Sequence, residues 1–292
     1  MTQYESVVAE DGPTIIVEGE GVHIKDIDGN TYIDGIGGLF LANVGHGRTE
    51  IVDAVAKQLN TLHYANTFAY ATIPAIKLAE KLANIAPGDL NTVFLASGGS
   101  EAVETALKMA RQYHINVGHN ERSKFIARRG SYHGTSQGAL SLNGSNAYVH
   151  RERYEPLLPN VRHVGNISCY RCPWGLEYPS CKLNCVQDIE RMIEFEGPET
   201  IAAVIAEPVS VSNGVSIPQP EYWPLLREIC DKYGILLIAD EVITGFGRTG
   251  KMFASEHWGI VPDLMTFAKG VTSGYQPVGG VIANTKVAKA FH

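Results

Sequence analysis

From residue 92 onward the chain keeps a rhythm in which short apolar runs alternate with stretches of helical spacing. The runs are TVFLA (92–96), KFIAR (124–128), IAAVIAE (201–207), ILLIADE (235–241), LMTFA (264–268) and VGGVIAN (278–284). Helical spacing covers 99–117, 186–196 and 221–233, and, before the rhythm begins, 49–60 and 74–85. An apolar run without polar alternation fits a strand buried on both faces. Strands separated by helices fit parallel pairing through helical crossovers. The expected fold is α/β, a mainly parallel sheet with helices on both faces. Ligands of such sheets bind beyond the carboxyl ends of the strands, so each strand end is a candidate position.

The opening residues differ. TIIVEGEGVHIKDIDGNTYID (14–34) alternates apolar and polar residues around Asp28-Gly29-Asn30, a hairpin signal, and the glycine-rich, irregular GIGGLFLANVGHG (35–47) follows. A length of 292 residues allows one large or two modest domains. The formal net charge of -7 argues against nucleic acid as the main partner, since phosphate binding needs a basic face. The acidic amino terminus lacks the basic and apolar regions of a signal peptide. The longest apolar runs, such as Ile235 to Ala239, fall short of the ~20 residues that span a bilayer. A cytoplasmic protein without membrane contact is expected, and the glycosylation sequons at Asn143 and Asn166 are then accidental.

Five strand ends carry candidate chemistry. After Ala96, the sequence Ser97-Gly98-Gly99-Ser100 opens a helix. Small residues and free amides at a helix start suit a phosphate, and they equally suit a plain capped helix. After KFIAR come Tyr132 and His133; a tyrosine there stacks on a flat ligand or simply fills a turn. Glu207 ends a strongly apolar strand before Pro208 and needs a partner, which could be a ligand, a basic group or water. Asp240 follows ILLIA and emerges at the ligand edge, where a carboxylate in a low-dielectric site pairs strongly with a protonated ring nitrogen. GFGRTG (245–250) matches a dinucleotide fingerprint, but it falls late in the chain. Asp263 also follows it too closely to be the ribose-binding acid.

The fifth end is Lys269, which closes LMTFA, the run directly after the one that ends in Asp240. A buried lysine is costly unless it is paired or neutralised. An amine that forms a Schiff base, a carboxylate for a ring nitrogen, a helix start for a phosphate and a stacking tyrosine together meet the requirements of pyridoxal phosphate. Gly270 is expected to leave room beside the lysine for the cofactor.

These motifs carry a family resemblance. NVGHG (43–47), FLASGGSEAVETALKMAR (94–111), SYHG (131–134), IAEPV (205–209) and the long segment 236–281 resemble, in family order, a class III (omega-type) aminotransferase. The resemblance implies pyridoxal-phosphate fold type I: a seven-stranded, mainly parallel sheet in a large cofactor-binding domain (61–292). It implies part of a smaller α+β domain at 1–60, and it makes the chain look truncated, with the carboxyl-terminal part of that small domain absent. It implies that Lys269 holds the cofactor as a Schiff base and moves the substrate proton. Asp240 would pair with the ring nitrogen, and Val242 and Tyr132 would lie on opposite ring faces. Gly99 and Ser100 would hold the phosphate, with His133 and Glu207 also at the cofactor. Leu39, Phe40 and Tyr132 would line the substrate pocket, and Arg248 would be structural. It further implies a homodimer and transfer of an amino group from an amine or omega-amino acid to a keto acid such as pyruvate. An aminomutase, a lyase or a truncated non-catalytic subunit are the alternatives. Gly98 and Val242 stand where many members have serine and glutamine. LHYANTFAY (62–70) is the expected place for subunit contacts.

Four of the five cysteines cluster as C-x2-C-x8-C-x3-C: Cys169, Cys172, Cys181 and Cys185. They lie between a strand expected near 161–164 and the helix at 186–196. The spacing admits a structural zinc and equally a surface insertion with free thiols. No metal is assigned.

Overall fold

The computed structural model describes residues 12–144 and 151–291. The acidic residues 1–11 lie outside them. In chain order the strands are β1 (Ile16–Glu20), β2 (His23–Asp26), β3 (Thr31–Ile33), β4 (Leu90–Ala96), β5 (Lys124–Arg128), β6 (Val161–Val164), β7 (Ile201–Ala206), β8 (Leu236–Asp240), β9 (Leu264–Phe267) and β10 (Gly279–Asn284). The helices are α1 (Thr49–Thr61), α2 (Ile73–Ile85), α3 (Gly99–Asn116), α4 (Gln137–Leu142), α5 (Asn184–Glu196), α6 (Tyr222–Tyr233) and α7 (Thr285–Lys289).

Seven strands form one sheet in the order β4-β10-β9-β8-β7-β5-β6. β5 through β9 pair in parallel, while β10 runs antiparallel to both of its neighbours. The exception has a local cause. A parallel return needs a crossover, normally a helix, and the stretch between β9 and β10 contains only the short 3-10 turn Lys269–Val271.

Apolar periodicity explains the layers. α3 buries Ala102, Val103, Ala106, Leu107, Ala110 and His114, a three-and-four spacing that marks one helix face. That face packs on Phe125, Ala203, Ile205, Leu236 and Ile238. On the opposite face, Val186, Ile189 and Ile193 of α5 and Trp223, Leu226 and Ile229 of α6 pack on Ile126, Val204 and Leu237. Successive residues of β7 and β8 thus feed opposite layers, as the two-residue period of a strand requires.

The three amino-terminal strands form a separate antiparallel sheet. Its expected hairpin is present. Asp26 accepts from the backbone amides of Asp28 and Asn30 and from the side chains of Asn30 and Tyr32, between 2.7 and 3.0 Å. The following segment docks onto the loop after Lys269. Val44 N donates to Ser273 Oγ at 3.0 Å, and Arg48 N donates to Tyr275 Oη at 2.8 Å.

GFGRTG opens no helix. Asp263 is held instead by Arg227 at 2.8 Å and Lys286 at 2.9 Å, in agreement with setting aside a dinucleotide fingerprint.

Candidate active site

β8 and β9 are parallel neighbours, with Asp240 registered beside Thr266. Their carboxyl ends therefore place Asp240 and Lys269 at one edge of the sheet. A cavity of about 420 Å3 opens there. Gly99, Ser100, Tyr132, His133, Glu207, Asp240, Val242 and Lys269 all line it.

Lys269 follows an extended Ala268 and itself has φ 46°, a left-handed conformation that turns the chain directly after the strand. Among the described residues its amine makes no hydrogen bond or ion pair. Burial pushes that amine below the ordinary lysine range, and the charge of Asp240 pulls the other way. A lysine of lowered basicity has a larger fraction of neutral, nucleophilic amine.

Asp240 is almost fully buried and accepts three hydrogen bonds. His133 Nδ1 lies 2.7 Å from Oδ2, while Thr266 Oγ1 and Val242 N donate to Oδ1 at 2.9 and 3.1 Å. With the carboxylate as acceptor, His133 donates from Nδ1. Its Nε2 is buried without a partner among the described residues. Asn143, itself buried, fixes the same loop by accepting from His133 N at 2.5 Å and donating to Gly134 O at 2.8 Å.

At the other wall β4 ends and α3 begins at Gly99. Glu101 accepts from Ser97 N at 2.8 Å, and Ser100 Oγ accepts from Thr135 N at 3.0 Å. Tyr132 is half-buried. Burial, then the charge of Asp240, raises its phenol above the usual range, so it stays neutral. Its backbone amide donates to Glu207 Oε1 at 3.3 Å.

The partner that Glu207 needs is Arg128. Its Nη2 donates to Glu207 Oε2 at 3.0 Å and to the Glu207 carbonyl at 2.6 Å. Sequence reasoning missed Arg128, although a cation closing KFIAR was a visible signal. Thr266, Leu41, Gln276 and Pro277 were missed too; Thr266 grips Asp240, and the other three line the cavity.

Leu39 and Phe40 are not among the residues that line this cavity, whereas Leu41 is. Leu39 and Phe40 have φ of 70° and 67°, and this left-handed turn leaves Leu39 largely exposed. Gly270 does not open space for a ligand. A Cβ there would stand 2.4 Å from Asn43 Nδ2, so the room beside the lysine is filled by Asn43. Arg248 lies outside the cavity lining, with its guanidinium against Gly37.

A model of the class-III aminotransferase family matches residues 6–292. The chain belongs to that family. The class-III chain is 48% identical over 278 residues to the probable aminotransferase Rv3329 of Mycobacterium tuberculosis, covering 95% of this chain and 59% of that one. It is 40% identical over 284 residues to putrescine–pyruvate aminotransferase of Pseudomonas aeruginosa, covering 97% of this chain and 62% of the relative. Among solved structures, an (S)-enantioselective omega-transaminase from Thermomicrobium roseum superposes with a TM-score of 0.95 at 44% identity, covering 100% of this chain and 64% of that one. An amine transaminase from an uncultivated Pseudomonas species, in its PLP-bound form, gives 0.92 at 44% identity, with 97% and 64% covered. The class-III chain thus spans about three fifths of the length of these curated relatives.

Asn143 and Asn166 are both buried, so neither sequon presents an accessible side chain. Among the described residues no helix is long and apolar enough to cross a membrane. All four clustered cysteines are free thiols. Among the described residues no group of three or more His, Cys, Asp or Glu is placed to hold a metal.

Proposed function

We propose that this chain forms the cofactor-binding core of a pyridoxal-phosphate-dependent transaminase. It would move an amino group from an amine or omega-amino acid to a keto acid such as pyruvate. The observation that carries the reading is a lysine amine of lowered basicity, without a partner among the described residues, sharing a cavity with a carboxylate held by three donors. The residues present fit the cofactor. The cavity offers a helix start built from Gly99 and Ser100, and a Cβ on Gly99 would come within 3.0 Å of Val242 Cγ1, so the wall there is close-packed. Bound there, pyridoxal phosphate supplies a carbonyl that condenses with amines and a ring that withdraws electrons.

The chain's own residues divide the remaining work. Gly99 and Ser100 would take the phosphate at the positive end of α3. Asp240 would stabilise positive charge at the ring nitrogen. Tyr132 and Val242 would flank the ring. Lys269 would hold the cofactor and, once released, accept a proton at Nζ from the amine-bearing carbon and return it. Relatives named for putrescine and taurine, both with pyruvate, support this donor and acceptor class.

The test is Lys269→Ala, with amine donors screened against pyruvate and 2-oxoglutarate. Loss of turnover, and of borohydride-trapped cofactor, is expected; unchanged turnover overturns the assignment. We further read residues 1–60 as part of a small domain and 61–292 as the large one. Limited proteolysis that cuts first near residue 60 would bear on that division.

A homodimer completes the reading. Tyr64, Phe68, Tyr70 and Ile73 are all strongly exposed, an apolar patch that suits a second copy. Light scattering checks it. The free thiols fit a reducing, cytoplasmic compartment; fractionation of the source cells tests that placement.

A further inference from the structure

The cysteine motif has no part in the proposed transamination, yet the fold gathers it. Cys169, Cys172, Cys181 and Cys185 all line one small cavity of about 30 Å3, between β6 and the start of α5. That is the volume of roughly one water molecule. The rest of the wall is mostly apolar, including Ile167, Trp174, Leu183 and Pro218, and no charged side chain lines it. Gln219 Nε2 meets Cys169 Sγ at 3.4 Å on the same wall.

The environments of the thiols differ. Cys169 is exposed, whereas Cys172, Cys181 and Cys185 are partly buried. Burial pushes the Cys185 thiol up to about 11, with smaller contributions from the neighbouring Cys169 and Cys181. A four-thiolate metal centre would place net negative charge in this cavity with no cationic side chain beside it, and no ligand set is arranged for one among the described residues. A cystine is neutral and apolar and suits the same walls.

We propose that this loop is a redox modification site, at which peroxide oxidises the exposed Cys169 and an intramolecular disulfide closes to one of its three cavity neighbours. The Cys169 thiolate attacks a peroxide oxygen, the O–O bond breaks, and one water leaves. The second thiol then displaces the sulfenic hydroxyl as a second water. Two thiols lose two protons and two electrons in all, and hydrogen peroxide is reduced.

The test treats the folded, reduced chain with stoichiometric hydrogen peroxide. Intact mass should fall by about 2 Da, reversibly with dithiothreitol. Peptide mapping should join Cys169 to Cys172, Cys181 or Cys185. Cys169→Ser should abolish the bond. Cys230→Ser should leave it unchanged, because Cys230 is buried in the core and its thiol is pushed up to about 12. Persistent oxygen adducts without a crosslink, or a bond that omits Cys169, would overturn the proposal. So would stoichiometric zinc, in protein purified under reducing conditions, that shields all four thiols.

Discussion

Three groups grip the Asp240 carboxylate: the His133 ring, the Thr266 hydroxyl and the Val242 amide. Such a carboxylate is oriented before any ligand arrives, and preorganised charge is what electrostatic catalysis requires. Asp240→Asn keeps the shape and removes the charge. Turnover should fall on the order of 100-fold or more, measured as kcat with the best amine donor, while the far-ultraviolet circular dichroism stays unchanged. Near-normal kinetics would count against the role. Lys269 illustrates what a sequence can reveal at this scale. Its place at the end of an apolar run marks a costly charge, and burial does lower its basicity. The grip on Asp240 was less legible, because Thr266 sits inside a strand that reads simply as apolar core.

At the scale of elements, the six runs all became strands, because unbroken apolar stretches leave little else for a short buried segment to be. Their pairing was harder to read. β5 lies beside β7, although β6 separates them in the chain, and only that adjacency brings Arg128 to Glu207. The direction of β10 depends on the missing crossover after β9 rather than on its own residues. Leu39 and Phe40 could not be placed, since two consecutive left-handed non-glycine residues break any periodicity. The helix layers follow from periodicity and should respond to it. Ile189 of α5 is fully buried against the sheet. Ile189→Ala should lower stability by about 2–5 kcal/mol through lost burial and a residual cavity. It should move the urea midpoint while leaving the Lys269 site intact. A midpoint within error of the parent would place that helix face outside the core.

Across the whole molecule, two histidines tie stability to pH. Burial lowers His114 to about 4, and its Nε2–H donates to the Ala202 carbonyl at 2.8 Å. His163 is lowered to about 4, by burial first and then by the charge of Arg151. Both pKa values lie below the ordinary 6.5, so between about pH 6.5 and 4 the unfolded chain binds protons that the folded one refuses. Their contribution is complete above that window and is lost as pH falls through it. The thermal midpoint should therefore drop from pH 6.5 to 4, with a shallower drop in His114→Gln. Identical slopes in the two proteins would remove His114 from the account.

The one reversed strand also sets a timetable for assembly. β4 leads directly into the start of α3 at the cavity wall, yet among the described residues its one neighbour in the sheet is β10, where Ala96 pairs with Gly279. On a ribosome, chain order is time order, and elements made early must wait for partners made late. The edge that supports Gly99 and Ser100 stays unzipped until residues 279–284 emerge. A cavity wall made at residues 97–100 is thus closed by a strand made only at residues 279–284.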